Sequence, residues 1–296
     1  HYLVESYRYS ESVYECYKRN TPADFVYIKG FSGWKLLEEK EKGVKFPPIG
    51  INFHGYEMFQ KPPSFKLLFQ NILFLQKPVL KNISRADIVF SYGGKVTGII
   101  GSLGIDDEKI IEIPTGIEKD WVIETPVVNP LPVKFVFTGR YERRKGIEEL
   151  NDVLSELIRT NNFDFHFIGP IPPAKQLHSP KINYHGKVTD QEILKKLLRS
   201  ADVLVCPSHS EGMPNVIVEG MASGLAVVAT DVGAVSVMVD KDNGWLIPPA
   251  DKKALKAALL EAMSLSPGKL SALKINSLEK VNKQLLWEGV IQQTIT

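Results

Sequence analysis

Cysteine is scarce, no long apolar run occurs and the charges nearly cancel; each shortage removes a class of protein. Two cysteines in 296 residues cannot build a disulfide framework, and Cys206 lies inside the apolar run VLVC, where a buried free thiol is expected rather than a disulfide or a metal ligand. That usage fits a reducing compartment. No stretch reaches the length of a membrane span, and the first residues show no basic segment followed by an apolar one, so neither an anchor nor a signal peptide is visible and the expected location is cytoplasmic. Lys and Arg number 36 against 34 Asp and Glu, a net charge of +2 that gives no general case for nucleic acid as a partner. The phosphate-cradling GxxxxGK[ST], a GxGxxG between strand and helix and the hydrolase GxSxG are all missing, which argues against P-loop, dinucleotide-binding and serine-hydrolase chemistry. His1 stands where a methionine would open a chain, so the sequence reads as an internal fragment.

What is present is the composition of a globular protein, 44% apolar and 24% charged, with length enough for two domains. From Pro132 onward, short β-rich runs (VKFVFTG, FDFHFIG, ADVLVCPS, LAVVATD) alternate with helical stretches (GIEELNDVLSELIRT, DQEILKKLLRS, DKKALKAALLEAM). Near-continuous apolar strands predict a parallel sheet covered on both faces, whose ligands bind at the strands' carboxyl ends, where Gly139, Gly169, Ser208 and Asp231 fall. A less regular version, with strands at DFVYIKG, PIGINFH, DIVFSYG and KIIEIPTG, precedes it. The Pro-containing, uncharged TPVVNPLPV reads as the hinge. The expected organisation is a first α/β domain over 1–127, a second over 128–272 and a helical tail over 273–296. Trp287, set among polar residues in that tail, suggests packing beyond its own domain.

Chemistry gathers in PSHSEGMPNVIVEGMASGLAVVAT. Gly212 permits a turn, Pro214 suits the first helical position, and the opening N–H groups at Asn215 and Val216 form an anion site beside Glu211. Glu219 lies further along the same helix, so a ligand carrying both hydroxyls and phosphate fits; Glu219 equally suits an exposed helix position, and Glu211 an N-terminal carboxylate that favours the helix dipole. Arg140 and Lys145, at the end of VKFVFTG, are placed to clamp a diphosphate, or to form a solvated basic loop with Arg143 and Arg144. His54 ends a strand of the first half and is read either as a ligand-side imidazole or as a structural histidine, with Glu57 orienting it or facing solvent. The His-x-x-Glu pair has no third ligand at usable spacing, so no metal is expected. Between Phe59 and Ala86 there is no Asp or Glu, while Lys61, Lys66, Lys77, Lys81 and Arg85 are interspersed with Phe65, Leu68, Phe69, Ile72 and Leu75. That resembles an interfacial basic helix with peripheral membrane contact, and equally a core helix with solvated lysines.

GRYERRKG, the PSHSEG segment through DVGAV, and DNGWLIPPAD, in this order and spacing, closely resemble the retaining glycosyltransferases of family 4, over nearly all of Val133–Met263. INFHG and IEIPTGI extend the resemblance more weakly upstream. It implies a GT-B fold: α/β, two Rossmann-like doubly wound parallel-sheet domains facing a cleft, the first on the acceptor side and the tail crossing back to it. It implies that Arg140 and Lys145 bind the donor diphosphate, Glu219 the ribose hydroxyls and Glu211 the transferred sugar. Gly139, Gly212, Met213, Pro214, Asn215 and Val216 would line the donor pocket, Val188 would lie near the base, and His54 would touch the sugar from the first domain. Metal and cofactor are expected to be none, with a UDP- or GDP-sugar as the donor substrate and a carbohydrate or lipid-linked hydroxyl as acceptor. Thr115 replaces a common Asn, VSVMV lacks a usual acid, and the family's first strand–helix units are expected to be missing before HYLVES. The implied activity is sugar transfer in cell-surface polysaccharide or glycolipid synthesis. The alternatives are a non-catalytic or truncated sugar-nucleotide-binding module and a GT-B sugar-phosphate synthase or phosphorylase.

Overall fold

The structure, a computed structural model, describes every residue except 21–22, 61–68, 70, 128 and 296. Lys61, Phe65, Lys66 and Leu68 of the basic segment therefore lie outside the described residues. The chain divides into two units, His1–Ile113 and Pro114–Thr296.

The first unit opens with α1 (Tyr2–Arg19), followed by β1 (Val26–Lys29), α2 (Trp34–Glu41), β2 (Ile49–Asn52), α3 (Lys77–Arg85), β3 (Ile88–Ser91), α4 (Lys95–Ser102) and β4 (Ile110–Glu112). All pairs are parallel and the strands lie in chain order, β1-β2-β3-β4. Ile49, Ile51, Val89 and the α2 leucines Leu36 and Leu37 are fully buried, the pattern of strands and helices burying one apolar core. Asp87 fixes the entry into β3: its carboxylate accepts from Ile49 N–H at 2.8 Å and pairs with Lys40 at 2.6 Å.

The second unit contains β5 (Lys134–Thr138), α5 (Ile147–Thr160), β6 (Asp164–Ile168), β7 (Ile182–Tyr184), α6 (Gln191–Arg199), β8 (Val203–Cys206), α7 (Asn215–Ala222), β9 (Ala226–Thr230), α8 (Val235–Met238), β10 (Gly244–Ile247), α9 (Lys252–Ser264), α10 (Pro267–Gln284) and α11 (Trp287–Ile295). Its six parallel strands run in the order β10-β9-β8-β5-β6-β7. After β7 the chain returns past β5 to lay down β8, so the order reverses between β5 and β8. That reversal is a topological switch point, where the loops leaving adjacent strands diverge and open a crevice at their carboxyl ends. Phe135, Phe137, Phe165 and Phe167 alternate along β5 and β6 and pack with α5 and α9 into the larger core. Asp190, Asp251 and Ser266 cap α6, α9 and α10 by accepting from backbone N–H groups in the first turn.

Two edge strands, β7 and β10, lie outside the β-rich runs read from the sequence. The division between units falls after Ile113 rather than at Val127. Residues that follow it are tied into the second unit: Thr115 N–H donates to Met213 Sδ at 3.1 Å, Ile117 N–H to Leu285 O at 2.8 Å and Ile123 N–H to Ala222 O at 3.2 Å. The tail expected from Leu273 begins inside one continuous helix, α10, anchored by the buried Lys274, and ends in the separate helix α11. The Lys274 ammonium pairs with Asp202 at 2.9 Å and donates to Val127 O at 2.7 Å. Trp287 packs within the same unit over Gly116, where an added Cβ would sit 2.6 Å from the indole. Both cysteines are free, Cys16 exposed and Cys206 buried; burial, reinforced by Glu211, pushes the Cys206 thiol up to about 11. Among the described residues no helix is long and apolar enough to cross a membrane.

Candidate functional site

The two loops that flank the switch point, one after β5 and one after β8, press together backbone to backbone. Gly146 closes the first with a left-handed φ of +66°, and a Cβ there would stand 1.8 Å from the Pro207 carbonyl oxygen of the second. His209 N–H donates across the seam to Arg144 O at 2.8 Å. Such an approach requires glycine and brings the basic run Arg143–Lys145 directly against the SHSEG turn.

Glu211 is the centre of the contact. It is buried, its Oε1 lies 2.7 Å from Lys145 Nζ and accepts from Ser208 Oγ at 2.7 Å, and its Oε2 lies 3.1 Å from Arg144 Nη1. Arg144 also donates to Ser210 O at 3.1 Å. A second, partly buried cluster adjoins the first. Arg143 holds Glu149, in the first turn of α5, through a bidentate pair at 2.5 and 2.6 Å, and its Nη1 lies 2.6 Å from His209 Nε2. Burial alone would raise the Glu149 carboxyl, but the Arg143 guanidinium and His209 hold it below the ordinary carboxylate range. Charged groups in this setting are stable only while paired, so the two clusters fix one loop on the other.

The turn after Glu211 leads into α7. Gly212, Met213 and Pro214 are buried, Asn215 is exposed and Val216 half-buried. Pro214 is the N-cap, in extended conformation, and not the first helical residue as expected; helical geometry begins at Asn215 and no side chain caps the end. The opening N–H groups therefore point out of the helix with no side-chain acceptor, in the position that favours an anion. A third loop supports the turn: Ala234 N–H donates to Gly212 O at 2.7 Å, and Gly233 lies so close that a Cβ would meet the Glu211 and Gly212 carbonyls at 2.3 Å. Glu219, within α7, is half-buried with no hydrogen-bond or ion-pair partner for its carboxylate among the described residues, and burial raises its pKa.

The remaining sequence-derived positions are dispersed. Gly139 follows β5 and donates to Ile168 O at 2.9 Å, bringing the ends of β5 and β6 level. Arg140 does not join Lys145 on Glu211; its side chain is 71% exposed and paired with Glu142 at 2.9 Å. Val188 is half-buried in the loop between β7 and α6. His54 belongs to the first unit, beyond β2, with Nδ1 3.2 Å from the Tyr92 hydroxyl. Partial burial, then the Lys29 ammonium, hold its imidazole below the ordinary value against an opposing pull from Glu57. Glu57 folds over Gly55, where a Cβ would meet its carboxylate at 2.6 Å. Among the described residues no group of three or more His, Cys, Asp or Glu is arranged to hold a metal ion.

Arg143, Arg144, His209 and Glu149 are the members of this site to which sequence reasoning assigned no role. Arg144 had a visible signal, the run RRK, but nothing in it distinguishes the residue facing the turn from those facing solvent. The close approach at Gly146 decides it, because it sets the loop that carries Arg144 and Lys145 against the loop that carries Glu211.

Two parallel-sheet α/β units, the second with paired cations and carboxylate at its switch point, define the GT-B class of fold. Known proteins agree. The Anabaena protein HepE, solved in complex with UDP, superimposes with a TM-score of 0.74 at 16% identity, over 97% of this chain and 80% of its own. Residues 132–264 match the family described as Glycosyl transferases group 1, and this segment belongs to that family. TuaC of Bacillus subtilis, named for teichuronic acid biosynthesis, is 36% identical over 124 residues, 42% of this chain and 31% of TuaC. WcaL of Salmonella typhimurium, named for colanic acid biosynthesis, is 24% identical over 292 residues, 91% of this chain and 68% of WcaL. The chain thus spans between 31% and 68% of the length of these two curated relatives.

Proposed function

We propose that the protein transfers a sugar from a nucleotide-diphosphate donor, UDP- or GDP-linked, to a hydroxyl of a carbohydrate or lipid-linked acceptor, in polysaccharide or glycolipid synthesis. The observation that carries this reading is the convergence of Lys145, Arg144 and Glu211 beside the uncapped start of α7, with Glu219, whose carboxylate has no partner among the described residues, in the same helix. The names of TuaC and WcaL, and the UDP bound by HepE, support the same substrate class.

In this reading the diphosphate lies over the N–H groups of Asn215 and Val216, and Lys145 meets it with the N–H donors that Glu211 does not occupy. Arg140, free of the inner cluster, swings from Glu142 to the outer phosphate oxygens. As the anomeric carbon–oxygen bond breaks, charge grows on the leaving phosphate, where fixed cations and helix N–H groups act most strongly. The acceptor oxygen attacks from the face the phosphate leaves, and its proton passes to the departing phosphate oxygen, so configuration is retained. Within the second unit, Glu211 is the group assigned to the transferred sugar. The chain's own cations carry the diphosphate charge, and no metal or cofactor is assigned a role. The direct test is nucleotide release from a panel of UDP-, GDP- and ADP-sugars; a folded full-length protein that releases nucleotide from none of them would overturn the enzymatic reading.

Glu219 offers a separate check. Its raised pKa means that the folded protein favours the protonated carboxyl, and this contribution to stability is lost as pH rises through the folded value. Ribose hydroxyls donating to the carboxylate would relieve the strain. Glu219→Ala is expected to weaken nucleotide binding by roughly 1–3 kcal/mol by calorimetry. Glu219→Gln should raise the melting temperature of the free protein at neutral pH while still weakening binding; unchanged affinity in both would remove Glu219 from the ribose site.

A further inference from the structure

A basic segment free of Asp and Glu lies between Met58 and β3. Its described part is a π-helical turn, Asn71–Gln76, running into α3. Val79, Asn82 and Ile83 of α3 are buried against the first unit, and the segment is tied at both ends: Gln76 donates to Met58 O at 2.9 Å, and Arg85 pairs with Glu41. The opposite face is apolar and uncovered. Phe69 is 68% exposed, Leu73 57% and Phe74 58%, with Ile72 beside them. Lys77 and Lys81, one turn apart on the same face, are exposed and have no ion-pair partner among the described residues.

We propose that the face formed by Phe69, Ile72, Leu73, Phe74, Lys77 and Lys81 docks on an anionic lipid bilayer. Three consecutive exposed apolar residues, Ile72 to Phe74, with aromatic rings at Phe69 and Phe74, suit insertion at the level of the headgroups. The two lysines flank them on long stems that reach anionic headgroups while the rings are inserted. Charge selects the occupant. No Asp or Glu occurs from Phe59 to Ala86, so nothing in this segment repels an anionic surface, whereas a second copy of the same face would set Lys77 and Lys81 against their own counterparts.

The placement gives the contact a purpose. In a parallel α/β unit the helix runs back along the sheet, so the start of α3 lies at the carboxyl ends of β2 and β3, and the Gln76–Met58 bond ties it to the turn that follows His54. A bilayer at this face would present a lipid-borne hydroxyl to that edge. This consequence rests on the proposed sugar transfer; the docking itself does not.

Co-sedimentation with vesicles tests it without nucleotide or acceptor. Vesicles of phosphatidylcholine mixed with phosphatidylglycerol are expected to bind the full chain at low salt, and vesicles of phosphatidylcholine alone to bind it weakly. Leu73→Ser with Phe74→Ser should lower partitioning at least about tenfold, and each of Lys77→Gln and Lys81→Gln about fivefold, on anionic vesicles only. All four side chains are exposed, so melting temperatures should not move. Failure of the chain to bind anionic vesicles at low salt would overturn the proposal. So would equal binding by the Leu73→Ser/Phe74→Ser variant, or a change in its oligomeric state by light scattering with vesicle binding intact, which would make the face an interface between copies.

Discussion

Lys145→Ala is expected to lower the rate of nucleotide release from a productive sugar donor by roughly 10²–10³, the range for loss of one fixed donor to developing negative charge. Lys145 is the inner cation that the structure holds in a fixed place: its ammonium is 2.7 Å from a buried carboxylate, on a turn locked by Gly146. Arg140 cannot take over without ordering an exposed side chain first. The loss should fall on turnover with little collapse of the fold, because Glu211 keeps Arg144 at 3.1 Å and Ser208 at 2.7 Å after the ammonium is gone. Arg144→Ala gives the contrast. It removes the contact to Glu211 together with the bond to Ser210 O, so its larger effect should be on the melting temperature. Steady-state kinetics and thermal unfolding of the two variants separate these roles; wild-type turnover in Lys145→Ala would take the lysine out of the diphosphate site.

The inner architecture of the second unit is legible in the sequence because its central strands are buried on both faces. KFVFT, VLVC and AVVAT are apolar almost throughout, the pattern of strands covered on both faces of a parallel sheet. The edge strands escape for the same reason. Ile182–Tyr184 carries Asn183 and Gly244–Ile247 begins with glycine, since an edge strand has one covered neighbour and tolerates polar or small residues. The division between units is hidden because it rests on three backbone hydrogen bonds from Thr115, Ile117 and Ile123, which leave no mark on composition, whereas the prolines near Leu131 do. In the site, Glu211, Lys145 and the start of α7 follow from spacing along the chain. The Arg143–Glu149–His209 clamp does not, because its members come from three elements and meet only after the switch point has brought β5 and β8 side by side.

Gly146→Ala is expected to destabilise the second unit by more than about 3 kcal/mol, a cost reached only where strain and collision combine. The left-handed φ of +66° alone costs an alanine roughly 1–2 kcal/mol. The larger part comes from the added Cβ, 1.8 Å from the Pro207 oxygen and 2.7 Å from its carbonyl carbon, both backbone atoms that no rotamer can move aside. To make room, the loop after β5 must withdraw from the loop after β8. That withdrawal stretches the His209–Arg144 bond and pulls Lys145 and Arg144 from Glu211, leaving a buried carboxylate short of its counter-charges. Stability and nucleotide binding should therefore fall together, unlike in Lys145→Ala. Gly98→Ala provides the control: it lies inside α4 with open space around a Cβ, and the substitution should stabilise by roughly 0.5–1 kcal/mol. Urea unfolding followed by circular dichroism measures both. A Gly146→Ala protein as stable as the parent would show that the two loops do not depend on this contact, and that the cations reach Glu211 by some other constraint.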